Sequence, residues 1–318
     1  MLKILSITAP IFIIIGVGFV AVRTEFFSKP DIRALGRFVV NFALPALLLK
    51  TFSQRSFSEV IHLGYLAAYA LGSLGVMSLA FCAAYFWKKR PIEVAALYSM
   101  GVGCSNSGYF GYPIVLQMLG AQAAVALALT MIVENVLLLP LTLAVADSGA
   151  DSGAKFSIAL AKSFARLIRN PIIIAILIGA GCAIFEIRPP PPLANAIDVF
   201  AMASAPVALF VLGGTLVGLD IRGMLGDVAL ITTGKLLLHP LAVFAAVMLF
   251  PSIEPNLKLA AVTFASVPML SIYPIFGQKY GHEGICASAM ITSTLAAFVS
   301  ISLILGLLRM SGVFSGIG

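Results

Sequence analysis

An all-α protein that crosses a lipid bilayer many times is the fold class predicted by this sequence, and three observations predict it. Of 318 residues, 60% are hydrophobic and only 10% are charged, whereas soluble domains carry about a quarter charged residues. The mean hydropathy is +1.06. The apolar residues also come in unbroken runs of about 20, the length that spans hydrocarbon as a helix. The same composition excludes a disordered chain, a secreted disulfide scaffold and a nucleic-acid-binding module. The net charge of +7 lies between apolar runs, so it argues for membrane topology and against a nucleic-acid partner.

Ten runs qualify as spans: 4–22, 36–54, 62–87, 93–119, 122–145, 171–187, 194–219, 226–250, 257–280 and 284–308. The first follows Lys3 and has the form of a secretory leader, but an internal repeat, described below, argues that it is a true span. Lys and Arg concentrate in the loops after odd-numbered spans. Arg23, Lys29, Arg33 and Arg37 are in the first such loop, and Lys88-Lys89-Arg90 in the second. The positive-inside rule places these loops in the cytoplasm and both termini on the outer side.

The longest loop, 146–170, divides the chain into 1–145, a linker and 171–318. It opens on polar Asp147-Ser-Gly and continues as an amphipathic helix. Lys155, Lys162, Arg166 and Arg169 share one face, and Phe156, Leu160 and Leu167 another. Such a helix lies on the anionic inner leaflet or serves as a solvated linker.

Cys82, Cys104, Cys182 and Cys286 lie inside apolar runs without paired spacing, which reads as small buried hydrophobes. No His/Cys/Asp cluster suggests a metal and no Gly-rich phosphate loop suggests a nucleotide. No nucleophile–base pair suggests an enzyme, and no cofactor is implied beyond a coupling proton or sodium ion.

Sliding the chain by 161 residues aligns its halves without a gap. Pro10 falls on Pro171, Gly18 on Gly179, Pro45 on Pro206 and Glu93 on Glu254. Tyr112-Pro113-Ile114 falls on Tyr273-Pro274-Ile275, Gln117 on Gln278 and Gly120 on Gly281. Each half then holds five spans. Five is odd, so the second copy enters from the opposite side, giving the inverted repeats of many secondary transporters. A duplicated bundle without transport is the alternative.

In such carriers the site sits where matching spans of the two halves are interrupted. The fourth span reads Gly101-Val-Gly-Cys-Ser-Asn-Ser-Gly-Tyr-Phe-Gly111-Tyr-Pro113. Each Gly costs a helix about 1 kcal/mol relative to Ala, and Pro about 3 kcal/mol. Its counterpart is Ser266-Val-Pro268-Met-Leu-Ser-Ile-Tyr-Pro274. Two broken helices crossing at mid-membrane would gather half-helix N-termini, which favour an anion.

Asn41-Phe-Ala-Leu-Pro45-Ala-Leu in the second span and Asn106-Ser-Gly-Tyr-Phe-Gly111-Tyr-Pro113 in the fourth resemble the hallmarks of the auxin efflux carrier family. That family includes malate- or malonate-permease-like bacterial proteins and is distantly similar to bile-acid/sodium symporters. The resemblance covers essentially the whole chain. It implies ten spans with crossed fourth and ninth helices, a scaffold from spans 1, 2, 6 and 7, and a moving domain from spans 3–5 and 8–10. It further implies a homodimer, organic anions as cargo and, for a bacterial member, the inner membrane. The long cytoplasmic loop of the plant members is replaced here by 146–170, so control through that loop does not carry over.

Among individual residues, the Asn106 amide can donate to a carboxylate or cap a half-helix, and by resemblance it matches the family's substrate-contacting asparagine. Ser105, Ser107 and Ser266 are weaker candidates of the same kind. Gly111, Pro113, Pro268 and Pro274 are expected to break the helices at the crossing, with Gln117 and Gln278 satisfying open backbone there. Glu134 and Asn135 lie in mid-span, and Asn135 is a further candidate for contact with the substrate. An intramembrane carboxylate is a functional hypothesis by default, so Glu134 is a candidate for the coupling ion; a structural partner is the equal alternative. Lys235 and His239 stand one turn apart. Lys235 is a candidate anion partner or partner of Glu134, although snorkelling to the cytoplasmic face is slightly favoured. Lys50 and His62 read as interfacial with a smaller case for gating, Tyr85 and Trp87 as an interfacial anchor, and Pro189–Pro192 as a rigid outer turn.

A secondary carrier for organic anions, working by elevator-type alternating access, fits these features best. A sodium/proton antiporter on the same scaffold and a non-transporting membrane sensor are the alternatives.

Overall fold

The computed structural model describes residues 2–53, 61–150, 156–218 and 225–310. These are helical apart from short connections and one isolated antiparallel bridge, Ser105 with Met269. Helix α1 is Leu2–Arg23 and α2 is Lys29–Ser53. The start of α2 is fixed by a capping box. The Ser28 hydroxyl accepts from the Asp31 N–H at 3.3 Å, the Asp31 carboxylate accepts from the Ser28 N–H at 2.9 Å, and Pro30 sits in the first turn. Lys29, Arg33 and Arg37 therefore belong to the first turns of a helix and not to a loop, which corrects the sequence reading.

The chain continues as α3 (Leu63–Trp87), α4 (Ile92–Gly103), α5 (Tyr112–Leu119) and α6 (Gln122–Ala150). Then come α7 (Phe156–Leu167), α8 (Pro171–Ile184), α9 (Pro191–Thr215) and α10 (Leu225–Met248). The last are α11 (Pro255–Ser266), α12 (Tyr273–Lys279) and α13 (Glu283–Met310). Helix α6 runs through Asp147, so the first residues of the expected polar loop are helical; residues 151–155 lie outside the described ones. Pro191 and Pro192 open α9 instead of extending a turn.

Among the described residues, α2, α3, α6, α9, α10 and α13 are each long and apolar enough to cross a bilayer, and α7 with α8 form a further pair bent by 61°. The runs at 93–119 and 257–280 are not continuous helices. The first divides into α4 and α5, the second into α11 and α12. Five stretches carry π-type turns, four of them inside α2, α3, α6 and α10 and one leading into α5. A π-turn leaves one helical register unpaired and is frequent at functional sites.

Helix α1 packs on the second half of α9, α8 on the second half of α2, and α3 on the second half of α10. Glycines permit these approaches. A Cβ on Gly213 would strike the Ile15 carbonyl, and one on Gly18 the Phe210 carbonyl. A Cβ on Gly179 would lie 2.6 Å from Phe52 Cβ and 3.3 Å from the Leu49 carbonyl oxygen, and one on Gly72 2.7 Å from Val243 Cα. Large apolar side chains such as Ile13, Val17, Leu177 and Leu241 point outward, as a lipid-facing surface requires. Cys104 and Cys286 are buried, but Cys82 is exposed and Cys182 half-buried, so the reading of all four as core residues holds for only two.

Phe86 and Trp87 are exposed beside Lys88-Lys89-Arg90. From that cluster Lys88 Nζ and Arg90 each reach one oxygen of the fully buried Asp227 carboxylate at 2.6 Å. This clamp fastens the end of α3 to the start of α10, and an aspartate inside the tenth helix was missed by sequence reasoning.

Candidate functional site

The two interrupted helices meet at their breaks. After Gly103 the backbone leaves the helix at Cys104, which is extended at φ −101°, ψ 123°. It re-enters through a π-turn, Ser107–Gly111, that feeds α5. Glycines let this stretch pack closely at two points. A Cβ on Gly108 would lie 2.8 Å from Met131 Cε, and one on Gly111 2.6 Å from Phe264 Cδ1. In the partner segment α11 stops at Val267, extended at ψ 160°, ahead of Pro268, which has no N–H to continue a helix.

Asn106 ties the breaks together. Its N–H donates to the Pro268 carbonyl at 2.8 Å. Its side-chain Nδ2 donates to Ser271 Oγ at 3.0 Å, and its Oδ1 accepts from the Tyr109 N–H at 3.3 Å as an N-cap. Its carbonyl accepts from the N–H groups of Phe110 and Gly111, each at 3.0 Å. Backbone freed by the interruption is thus satisfied within protein, as lipid surroundings demand. Pro113 and Pro274 are buried in the first turns of α5 and α12. They start the second half-helices, and the breaks themselves lie upstream, which corrects their expected role. Ser266 is buried and donates to the Val262 carbonyl at 2.7 Å, within its own helix.

Ser105 is the centre of a second, charged layer. One oxygen of Glu134, Oε1, accepts from the Ser105 N–H at 3.2 Å, the Ser107 hydroxyl at 2.7 Å and the Tyr69 hydroxyl at 3.2 Å. On the other side Lys235 Nζ donates to Ser105 Oγ at 2.6 Å, to His239 Nδ1 at 2.7 Å and to the Ala265 carbonyl at 3.1 Å. An ammonium has three donors and no acceptor, so these three contacts saturate a charged Lys235. With Lys235 charged, His239 Nδ1 accepts, and its Nε2, 2.9 Å from Ser73 Oγ, is then the nitrogen that carries the hydrogen. Three donors converging on one carboxyl oxygen suit its ionised form. Glu134 is 2% exposed, and Lys235, His239 and Ser105 are fully buried. Glu134 and Lys235 each sit in a π-turn, and Ser107 opens a third.

Lys235 therefore does not snorkel; its ammonium is bound inside the protein between α3, α4 and α11. Asn135 does not join the site. Its Nδ2 donates to the Met131 carbonyl and its Oδ1 accepts from Asn170, at 2.9 and 3.2 Å, which ties α6 to the cap of α8. Gln117 and Gln278 are exposed, so neither closes backbone at the crossing. Sequence reasoning missed Tyr69, Ser73 and Ser271. Only a tyrosine and a serine one turn apart in an apolar span, Tyr69 and Ser73, hinted at a polar face. Tyr65 continues this face, with its hydroxyl 2.7 Å from Thr130 Oγ1.

A cavity of about 320 Å³ lies beside this region between α2, α5, α6 and α9. Leu47, Leu116, Ala124 and Ala205 make it largely apolar, with Lys50, Thr51 and Tyr112 on its wall. Lys50 also faces a neighbouring cavity of about 260 Å³ with Arg188 and Asp198, and pairs with Asp198 at 3.0 Å. Among the described residues no group of His, Cys, Asp and Glu could hold a metal ion.

Two interrupted membrane helices that meet at their breaks, with a buried glutamate and a buried lysine joined through Ser105, form the kind of site that transport proteins use, and comparison with known sequences agrees. The family of membrane transport proteins matches residues 4–305, and the chain belongs to it. This is the auxin efflux carrier family pointed to by the Asn41–Leu47 and Asn106–Pro113 motifs. A Rhizobium meliloti (strain 1021) protein named "Putative malonate transporter" is 29% identical over 97% of this chain and 96% of its own. "Uncharacterized transporter YfdV" of Escherichia coli (strain K12) is 25% identical over 82% of this chain and 84% of its own. The "Lysosomal cholesterol signaling protein" of Mus musculus is 26% identical over 88% of this chain but only 34% of its own length. The family is one of transport proteins, and the Rhizobium and Escherichia relatives are named as transporters, not as enzymes.

Proposed function

We propose that this protein is a secondary carrier for small organic carboxylates, with Asn106 and Ser271 at the cargo site. The single observation that carries this reading is the pairing of two interrupted helices at Asn106–Pro268, next to the N-terminal end of a half-helix. Half-helix N-termini present unpaired N–H groups and partial positive charge to an anion. The name of the Rhizobium relative, similar over nearly its full length, makes malonate the first cargo to test.

The same reading includes ten spans in two inverted halves, 1–145 and 171–318, an elevator-type movement, a homodimer, and both termini outside a bacterial inner membrane. Contacts equivalent under the 161-residue shift support the inverted halves. Gly18 packs on Phe210, and the shifted pair is Gly179 on Leu49, which also pack. The Ser105–Met269 bridge and its shifted equivalent, Ser266 with Gly108, would flank one two-fold axis, with Asn106–Pro268 between them. The cavity between α2 and α9 on one side and α5 and α6 on the other fits a boundary between a scaffold and a moving domain.

The antiporter reading draws on Glu134, a buried carboxylate in mid-membrane. Uptake of labelled malonate into proteoliposomes separates the two. A carboxylate carrier accumulates malonate, and Asn106→Ala weakens its binding at least tenfold, about 1.4 kcal/mol. Malonate binding unchanged in Asn106→Ala removes Asn106 from the site. Sodium-driven proton flux without carboxylate uptake favours the antiporter.

A further inference from the structure

We propose that Glu134 is a proton site obligatorily coupled to the cargo: its carboxylate occupies the anion seat when the carrier is empty, and it must take up one proton before a cargo carboxylate can replace it. This inference rests on the carboxylate-carrier reading above.

The geometry behind it is a competition for donors. The N–H of Ser105 and the hydroxyl of Ser107 flank Asn106 at the entrance to α5, where an incoming carboxylate would bind. Both already donate to Glu134 Oε1. The half-helix end thus has an internal anion in its seat. A second carboxylate there would share these donors with a like charge in a site sealed from water, an arrangement that costs several kcal/mol unless one charge is removed.

Charge balance decides which proton moves. The groups facing Glu134 are Tyr65 and Tyr69 from α3, Cys104 from the break and Lys235 with His239 from α10, all buried. Lys235 is the basic group among them, and its three contacts match the three donors of an ammonium. His239 accepts from Lys235 and is neutral. The empty site therefore sums to zero, with one ammonium and one carboxylate bridged by Ser105. Adding a carboxylate group brings the sum to −1, and a proton on Glu134 restores it. A protonated Glu134 releases the Ser105 N–H to the cargo, and its new O–H is itself a donor for the cargo oxygen. No bond but O–H forms, and the proton travels with the cargo and leaves with it.

The consequence is arithmetic. Each transport cycle of the natural protein carries one more positive charge than the same cycle in Glu134→Gln, whatever the charge of the cargo. Glutamine keeps the shape and has no charge to neutralise.

The test uses proteoliposomes of the full chain, clamped at zero potential with potassium and valinomycin, with carbon-14 malonate as probe. An inside-alkaline gradient of one pH unit should raise malonate accumulation in the natural protein about tenfold over Glu134→Gln in the same buffers. The variant, measured in parallel, removes the effect of pH on malonate itself. With the gradient abolished and a potential imposed, Glu134→Gln should carry one more net negative charge per malonate. Equal accumulation by both proteins under the pH gradient overturns the proposal. Absence of malonate uptake by the natural protein overturns the cargo reading instead. In that case an infrared titration of the protein in lipid reads the same proton without cargo. A protonated-carboxyl band that grows on acidification and is missing from Glu134→Gln supports the site, and no such band in the natural protein overturns it.

Discussion

Replacing Lys235 by methionine removes the cation while keeping most of the apolar stem, and the structure sets how much that should cost. Three acceptors lose their donor: Ser105 Oγ, His239 Nδ1 and the Ala265 carbonyl. Glu134 is left as the uncompensated charge in a site with no access to water. Removing one of two opposite buried charges, here joined through Ser105, costs up to about 3–5 kcal/mol. Glu134→Gln leaves Lys235 as the uncompensated buried charge in its turn, so its cost should be of the same size, about 3–5 kcal/mol. The double variant has no buried charge and should be more stable than the sum of the two losses by about 2 kcal/mol, within the range of couplings between residues that share a network. Thermal unfolding of the four proteins in lipid nanodiscs measures this cycle. A sum that is strictly additive would refute the network, because it would mean that Glu134 and Lys235 do not sense each other through Ser105.

Other expectations follow from packing and from exposure. Gly213→Leu should destabilise the pairing of α1 with α9 by several kcal/mol, because its Cβ meets the Ile15 backbone and not a movable side chain; expression and unfolding temperature read this out, and a variant as stable as the natural protein would contradict the contact. Asp227→Asn should cost about 1–3 kcal/mol, since a fully buried carboxylate loses its charge towards both Lys88 and Arg90. Asp198→Asn should stay within about 1 kcal/mol because the Lys50–Asp198 pair is about a third exposed on each side. Unfolding of these two variants side by side tests whether burial, and not the mere presence of an ion pair, sets the cost.

Composition alone made the helical membrane class legible, because 60% apolar residues in long runs have few other solutions. The interruptions were legible too, since Gly, Ser and Asn in a span are expensive unless they are used. The exact break points were not. Pro113 and Pro274 were natural choices, yet proline is also well suited to the first turn of a helix, and that is where both lie. The partner of Lys235 was harder. From span position alone the side chain could reach the interface, and nothing local reveals that a π-turn at Gly234–Leu238 aims it inward at Ser105, a residue 130 positions away. Asn135, adjacent to Glu134, was drawn into the site by proximity in sequence. Successive helix residues face different directions, so it points at Asn170 instead.

The distribution of irregular backbone connects these observations. Inside a bilayer, a helix gives up a hydrogen bond only where protein supplies another partner. Here the losses are concentrated. The π-turns of α6 and α10, the turn leading into α5, and the unwound segments at Cys104–Asn106 and Val267–Ser271 all converge on Ser105 and Asn106. Freed groups find partners in another interruption, as when the Asn106 N–H meets the Pro268 carbonyl, or in a side chain, as when the Ser105 N–H meets Glu134. The irregular segments around Ser105 and Asn106 therefore depend on one another. That interdependence is also what a carrier requires. Under the proposed coupling, a cargo that takes over one of these donors, such as the Ser105 N–H, would free Glu134, alter the bridge to Lys235 and through it the contact between α10 and α3. Binding at one break is thereby felt by helices from both halves of the chain.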